Sequence, residues 1–252
     1  MLRRFRQINV FSDEPLGGNP LAVVLDSEGL TPENMQEYAR WTNLSETAFV
    51  LPPGVPAADY KVRIFTPTTE LPFAGHPTLG TCHAWRTSGG GSDGQTSFVQ
   101  ECAAGLISLR LTTRGLVFEA PPLVREGPVD KKELTAITEG LGVSAGDVID
   151  ARWIDNGPGW VGILLSSADR VLQIDNATVS GSVGVVGLNP EGSRTAYEVR
   201  AFFQSRSGTS EDPVTGSLNA SVAQWMIATR RAKPPYSVSQ GRRVGASGLV
   251  QV

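Results

Sequence analysis

Cysteine and histidine are almost absent from this 252-residue chain, with two of each. No Cys-x-x-Cys or His-x-x-x-His spacing exists, and two histidines do not by themselves build a metal centre, so no metal is expected. Cys82 and Cys102 fall in segments that read as core or strand and are expected to be reduced thiols. Long apolar runs are missing as well. Nothing approaches the roughly 20 residues of a membrane span, and the basic N-terminus lacks the apolar segment of about 7–15 residues that marks a secretory signal. A cytoplasmic protein with no membrane partner is therefore expected. Excess positive charge is also lacking: 22 Lys and Arg against 25 Asp and Glu give a net charge of −3, which supplies no field for nonspecific nucleic-acid binding. The Arg3, Arg4 and Arg6 cluster is too short to change that and reads as the solvated edge of a first strand, Phe5 to Phe11.

What the chain does have is enough apolar residue for a core, 40% hydrophobic against 19% charged, and a length that suits two units of roughly 125 residues. It also writes one turn twice. Thr69-Glu70-Leu71-Pro72-Phe73-Ala74-Gly75-His76 returns as Ser210-Glu211-Asp212-Pro213-Val214-Thr215-Gly216-Ser217, with Glu, Pro and Gly recurring 141 residues apart. Upstream, Arg63-Ile64-Phe65 is echoed by Arg200-Ala201-Phe202; downstream, each turn opens an apolar run ending at Trp85 or Trp225. Each copy reads as a strand, a Pro/Gly turn and a helix whose first N–H groups have no intrahelical partner. Two such helix starts facing one cleft would favour an anion.

The remaining punctuation gives an α+β organisation in two halves, 1–120 and 121–252, with the boundary at Pro121-Pro122. Thr31 caps a helix with Pro32 at its first position that runs to Asn43, and a strand from Thr47 follows at once, so Glu46 sits at a helix-to-strand joint. Further strands are expected at about 61–65, 96–102, 106–111 and 115–119. In the second half Asp130 with Glu133 caps an amphipathic helix ending near Gly140, and strands follow at about 151–154, 161–165, 182–187 and 196–203. The apolar helices at about 77–87 and 217–229 carry little charge and are expected to be wrapped by strands. The Gly-rich loop from Ser88 to Gly94 carries no phosphate-binding fingerprint.

A purely structural turn has no need of His76 in one copy and of Asp212 with Ser217 in the other, since polar groups beside a buried helix start are costly to leave unpaired. His83, seven residues beyond His76, reads as a hydrogen-bonded core residue. Thr215-Gly216-Ser217-Leu218-Asn219 is not the Gly-x-Ser-x-Gly elbow of a nucleophile, and Ser217 is better suited to donate to a substrate oxygen. Glu46, judged from spacing alone, reads as a surface carboxylate.

Taken together, Asn43-Leu44-Ser45-Glu46-Thr47-Ala48-Phe49, Glu70 to Thr78, Glu211 to Ser217 and Ser239-Gln240-Gly241 resemble the signature segments of the PhzF-like isomerases, named for phenazine biosynthesis. Asn19-Pro20 and Asp155-Asn156-Gly157-Pro158 also fit. The resemblance implies a diaminopimelate-epimerase-like fold of two pseudo-symmetric halves, each a curled mixed sheet around a central apolar helix, with the active site between them. It implies no cofactor, a homodimer, and a small carboxylate-bearing substrate. Glu46 matches the proton-transferring acid/base of the family, and His76, Asp212 and Ser217 match the polar residues around the substrate. Asn19, Gly75, Pro77, Thr78, Gly216 and Leu218 complete the expected binding set. The epimerase relatives use a thiol in each half, and aligning their turn on Gly75 and Gly216 puts Pro72 and Pro213 in the thiol positions. One carboxylate would then remove and return a proton, shifting a double bond. The alternatives are an epimerase or racemase without a thiol pair, and a non-catalytic binding protein of the same fold. Relatives follow Ser-Gln-Gly with Gly-Arg, where this chain has Gly245-Ala246, and they continue beyond the point where it ends, at Val252. A last strand at about 245–252 is expected to return to the N-terminal half.

Overall fold

The computed structural model describes residues 2–205 and 208–252. The chain divides into two compact units, one made of Met1–Val10 with Asn19–Glu119 and the other of Phe11–Gly18 with Ala120–Val252.

The first unit contains β1 (Phe5–Val10), β2 (Asn19–Val24), α1 (Pro32–Thr42), β3 (Glu46–Leu51), β4 (Tyr60–Phe65), β5 (Glu70–Leu71), α2 (Gly75–Arg86), β6 (Ser97–Cys102), β7 (Gly105–Thr112) and β8 (Gly115–Phe118). Its sheet runs β1-β2-β3-β4-β6-β7-β8, with β5 paired to β4. Two neighbours are parallel, β2 with β3 and β4 with β6. A parallel pair needs a crossover rather than a hairpin, and α1 and α2 are those crossovers. As expected from its sequence, β1 lies at the end of the sheet, and the exposed Arg4 just before it pairs with Asp26 at 2.7 Å.

The second unit contains β9 (Arg125–Pro128), α3 (Lys131–Leu141), β10 (Val148–Asp155), β11 (Trp160–Leu165), α4 (Ala168–Leu172), β12 (Ser182–Leu188), β13 (Tyr197–Ser205), β14 (Gly208–Asp212), α5 (Gly216–Ala228), β15 (Ser237–Gln240) and β16 (Gly248–Gln251). Its sheet runs β16-β15-β13-β12-β11-β10-β9, with β14 on β13, and its parallel neighbours are β11 with β12 and β13 with β15. The wiring from β10 to β16 repeats that from β1 to β7: a hairpin pair, a helical crossover, a hairpin with a short side strand, a second crossover through the buried helix, and a closing hairpin. The echo in sequence is thus a repeated fold, and the α+β class with a central apolar helix in each half holds.

Two expectations are corrected, for the last strand and for His83. The last strand does not return to the N-terminal half; β16 pairs antiparallel with β15 along Ser237↔Gln251 to Gln240↔Gly248, because the strand just before it in sequence offers a free edge after a short connection. The crossover equivalent to α1 is the five-residue α4, capped by Ser167. The helix after Asp130 ends at Leu141, close to Gly140 as expected, and a left-handed Gly142 caps it. His83 is exposed rather than a core residue, since the last turn of α2 emerges from the sheet that encloses its first two.

The buried helices organise the cores. On α5, Leu218, Val222, Trp225 and Met226 are at most 2% exposed and pack with Ile154, Leu164, Val186, Tyr197, Val199 and Val238. Each such side chain contributes about 1.5–3 kcal/mol of burial. Close approach demands glycine where helix meets strand: a Cβ on Gly184 would overlap the Leu218 side chain, and one on Gly80 of α2 would lie 2.7 Å from Leu21 Cδ2 and 2.9 Å from Val10 Cγ2. Cys82 and Cys102 are buried free thiols, both in the first unit, and burial pushes Cys82 up to about 11.

Candidate active site

Glu46 is the first residue of β3 and lies in parallel register with Leu21 of β2. The joint that delivers it is tight. α1 ends at Asn43 in the left-handed region (φ 53, ψ 28), whose N–H donates to Ala39 O, and a 2.8 Å contact between the Thr42 and Thr47 hydroxyls ties the helix end to the strand. The Glu46 side chain is 16% exposed, and its Oε2 lies 3.4 Å from His76 Nε2. The reading of Glu46 as a surface carboxylate is therefore wrong. His76 is the second residue of α2 and 5% exposed; burial pushes its pKa down to about 3, so the ring is neutral at physiological pH. The contact joins a carboxyl group to a neutral imidazole and is not an ion pair.

The helix starts differ from the others in the chain. Thr31, Asp130 and Ser167 cap α1, α3 and α4 through their side chains. Ala74 and Thr215, which precede α2 and α5, make no side-chain capping bond, and none from another side chain is seen among the described residues. The first N–H groups of both buried helices are thus left for another acceptor. Gly75, Pro77 and Thr78 surround the first of these ends and are buried. Pro77 has no N–H to give, and the Thr78 hydroxyl accepts from Gln100 Nε2 at 2.9 Å. Asn19, at the start of β2, is fully buried.

In the second unit Asp212 ends β14 and Ser217 is the second residue of α5. Ser217 Oγ accepts from the Trp160 indole N–H at 3.0 Å, and its carbonyl accepts from Asn156 Nδ2 at 2.9 Å. Asp155 holds that loop by accepting from the N–H groups of Gly157 and Gly159, at 2.7 and 2.6 Å. With one lone pair of Ser217 Oγ taken by the indole, its own proton is directed elsewhere, which makes it a donor. The Leu218 side chain is fully buried in the core, so only its backbone N–H remains as a contact. The roles of Thr215, which donates to Asp212 Oδ2 at 2.5 Å, and of Trp160 were not visible in the spacing, because both depend on loops closing onto a helix start. Among the described residues no group of three His, Cys, Asp or Glu side chains is placed to hold a metal ion.

Residues 8–252 match the family described as phenazine biosynthesis-like protein. The chain belongs to that family. Within it, Antisense-enhancing sequence 1 of Schizosaccharomyces pombe is 33% identical over 98% of this chain and 89% of its own length. The trans-2,3-dihydro-3-hydroxyanthranilate isomerase of Pseudomonas fluorescens is 32% identical over 96% of this chain and 87% of its own. The crystal structure of the PhzF-family phenazine biosynthesis protein of Bacillus anthracis superposes with a TM-score of 0.85 at 23% identity, covering 100% of this chain and 90% of that one. The fold is thus the diaminopimelate-epimerase-like one of the phenazine biosynthesis-like family, and the protein is an isomerase.

Proposed function

We propose that this isomerase shifts a double bond on a small carboxylate-bearing metabolite, with Glu46 as the group that moves the proton. The carboxylate of Glu46 takes a proton from a carbon next to an unsaturated system. The electron pair of the broken C–H bond becomes a new C=C, the old C=C opens, and Glu46 returns the proton to its far carbon. Such a step needs no cofactor. The observation that carries this reading is the seat of Glu46: a largely enclosed carboxyl group 3.4 Å from a buried neutral histidine at the uncapped start of α2. The free N–H groups of that start supply a fixed partial positive charge for a substrate carboxylate. The assignment of Asp212 and Ser217 as polar substrate contacts and the homodimer, both implied by the family resemblance, belong to this proposal, as does the cytoplasmic location expected from the lack of a membrane span and a secretory signal. The substrate named for the Pseudomonas fluorescens relative, trans-2,3-dihydro-3-hydroxyanthranilate, is the first compound to test.

The experiment follows that substrate in deuterium oxide by NMR. Solvent deuterium is expected at one carbon as the double bond moves, and Glu46→Gln is expected to lower turnover by about 10²–10⁴-fold, the usual share of a general acid/base. Full turnover by Glu46→Gln would remove the assignment. Inversion of a stereocentre with no displaced double bond would instead mark an epimerase.

A further inference from the structure

Gln240 is fully buried on β15, and both ends of its amide are used. Oε1 accepts from the Thr215 backbone N–H at 3.0 Å and from Asn219 Nδ2 at 2.6 Å. Nε2 donates to the Asp212 carbonyl at 3.1 Å and to Thr215 Oγ1 at 3.0 Å. The two backbone partners fix the orientation, since an N–H can only donate and a carbonyl can only accept. Nε2 therefore faces Thr215 Oγ1, and the hydroxyl, already accepting, turns its single proton to Asp212 Oδ2, 2.5 Å away. That distance is typical of a hydroxyl donating to a carboxylate. Direction runs one way along the chain from Gln240 through Thr215 to Asp212.

The first unit provides an internal control. There a fully buried glutamine, Gln100, also bonds the fourth residue of its helix, donating to Thr78 Oγ1 at 2.9 Å and accepting from the Tyr60 hydroxyl at 3.2 Å. Thr78 in α2 corresponds to Asn219 in α5. The places of Thr215 and Asp212 are held in that unit by Ala74 and Leu71, which offer no side-chain partner. Bonding the helix thus takes one glutamine contact. The additional contacts of Gln240 occur in the unit whose turn carries an aspartate.

We propose that Gln240 is a positioning residue which, through the Thr215 hydroxyl bonded to Oδ2, orients the Asp212 carboxylate for its contact with substrate. The proposal rests on the reading of Asp212 as a substrate contact. A hydroxyl that served only to stabilise the turn would not care whether residue 212 were acidic, and this distinction is what the test exploits.

The test is a double-mutant cycle on turnover of trans-2,3-dihydro-3-hydroxyanthranilate, with thermal unfolding of each variant as the control for folding. Thr215→Val is expected to lower kcat/KM by on the order of 10²-fold, the scale of a misplaced reacting group, and Thr215→Ser to restore most of it. Gln240→Met is expected to follow Thr215→Val. In an Asp212→Asn background, Thr215→Val is expected to add no further loss. A loss of the same factor in both backgrounds, or a Thr215→Val enzyme at the native rate, overturns the proposal while leaving Asp212 as a substrate contact. Full turnover by Asp212→Asn overturns both the proposal and the reading beneath it. A measurement without substrate is also decisive for the relay: the Thr215 hydroxyl proton should appear in the NMR spectrum as a slowly exchanging line, lost in Asp212→Ala and in Gln240→Met. Its persistence unchanged in Gln240→Met shows that Gln240 does not direct it.

Discussion

His76 shows how far one side chain's environment departs from its composition. Imidazole ordinarily titrates near neutrality, but here burial holds the ring neutral with a pKa of about 3, and the positive end of α2 adds to the same preference. The unfolded chain exposes that ring, which then takes a proton below about pH 6.5. Between pH 6.5 and about 3 the unfolded state therefore binds one more proton than the native state at this site, and stability rises with pH across that window. Above pH 6.5 the contribution is complete. His76→Gln is expected to flatten the pH dependence of urea midpoints between pH 4 and pH 6 relative to the native chain. An unchanged slope, or an imidazole resonance titrating near pH 6.5 in the native protein, would show that the ring ionises in place. Glu46 belongs to the same scale. Its enclosure was not legible from spacing, because it depends on the parallel register with Leu21 and on a histidine thirty residues further on. Only the resemblance of the surrounding segment to a family pointed to it.

At the scale of elements, the repeated turn is held by a repeated ion pair. Arg63 on β4 binds Glu70 on β5 through two hydrogen bonds of 2.7 and 2.6 Å, and Arg200 on β13 binds Glu211 on β14 through two of 2.9 and 2.7 Å. The geometry matches, but the burial does not. The side chains of the first pair are 24% and 36% exposed, those of the second 6% and 11%, and Arg200 also donates to the carbonyls of Val171 and Ile174 at the end of α4. Removing one partner of a buried pair leaves a charge without compensation, whereas an exposed pair is replaced by water. Arg200→Ala is expected to cost about 3–5 kcal/mol in urea unfolding and Arg63→Ala at most about 1 kcal/mol. Equal costs would mean that the second clasp is no more enclosed than the first. The turns, the buried helices and the caps at Thr31 and Asp130 were legible because each is written locally, in Pro/Gly spacing or in a polar residue before an apolar run. The two-residue β5, the side strand β14 and the five-residue α4 were not, since elements so short are set by the neighbour that supplies their hydrogen bonds.

Across the whole molecule the duplicated frame carries unlike residues at matching places. The start of β3 holds Glu46 opposite Leu21, and the start of β12 holds Ser182 opposite Trp160. His76 and Ser217 share the second position of their helices, and Asp212 replaces the Leu71 of the first copy. Duplication supplied two similar helix starts, and divergence gave the first unit the carboxyl–imidazole pair and the second the directed aspartate. Chain order does not respect the units, however. Phe11–Gly18, between two strands of the first sheet, belongs to the second unit, where Phe11 O accepts from Leu249 N–H at 2.6 Å and Gly18 N–H donates to the Ala246 carbonyl. No local signal announced this, because an eight-residue loop with a positive φ at Phe11 reads the same whichever body it packs on. The consequence is a testable asymmetry of the last strand. One edge of β16 pairs with β15, and Leu249 turns its N–H to Phe11. A fragment of residues 120–252 keeps the first partner and loses the second. In hydrogen exchange the Leu249 amide is expected to be protected in the full chain and to exchange much faster in the fragment, with β15 amides changing less. Equal protection of Leu249 in both would show that residues 11–18 contribute nothing to the closing strand, and the second unit would then be complete from residue 120 onward.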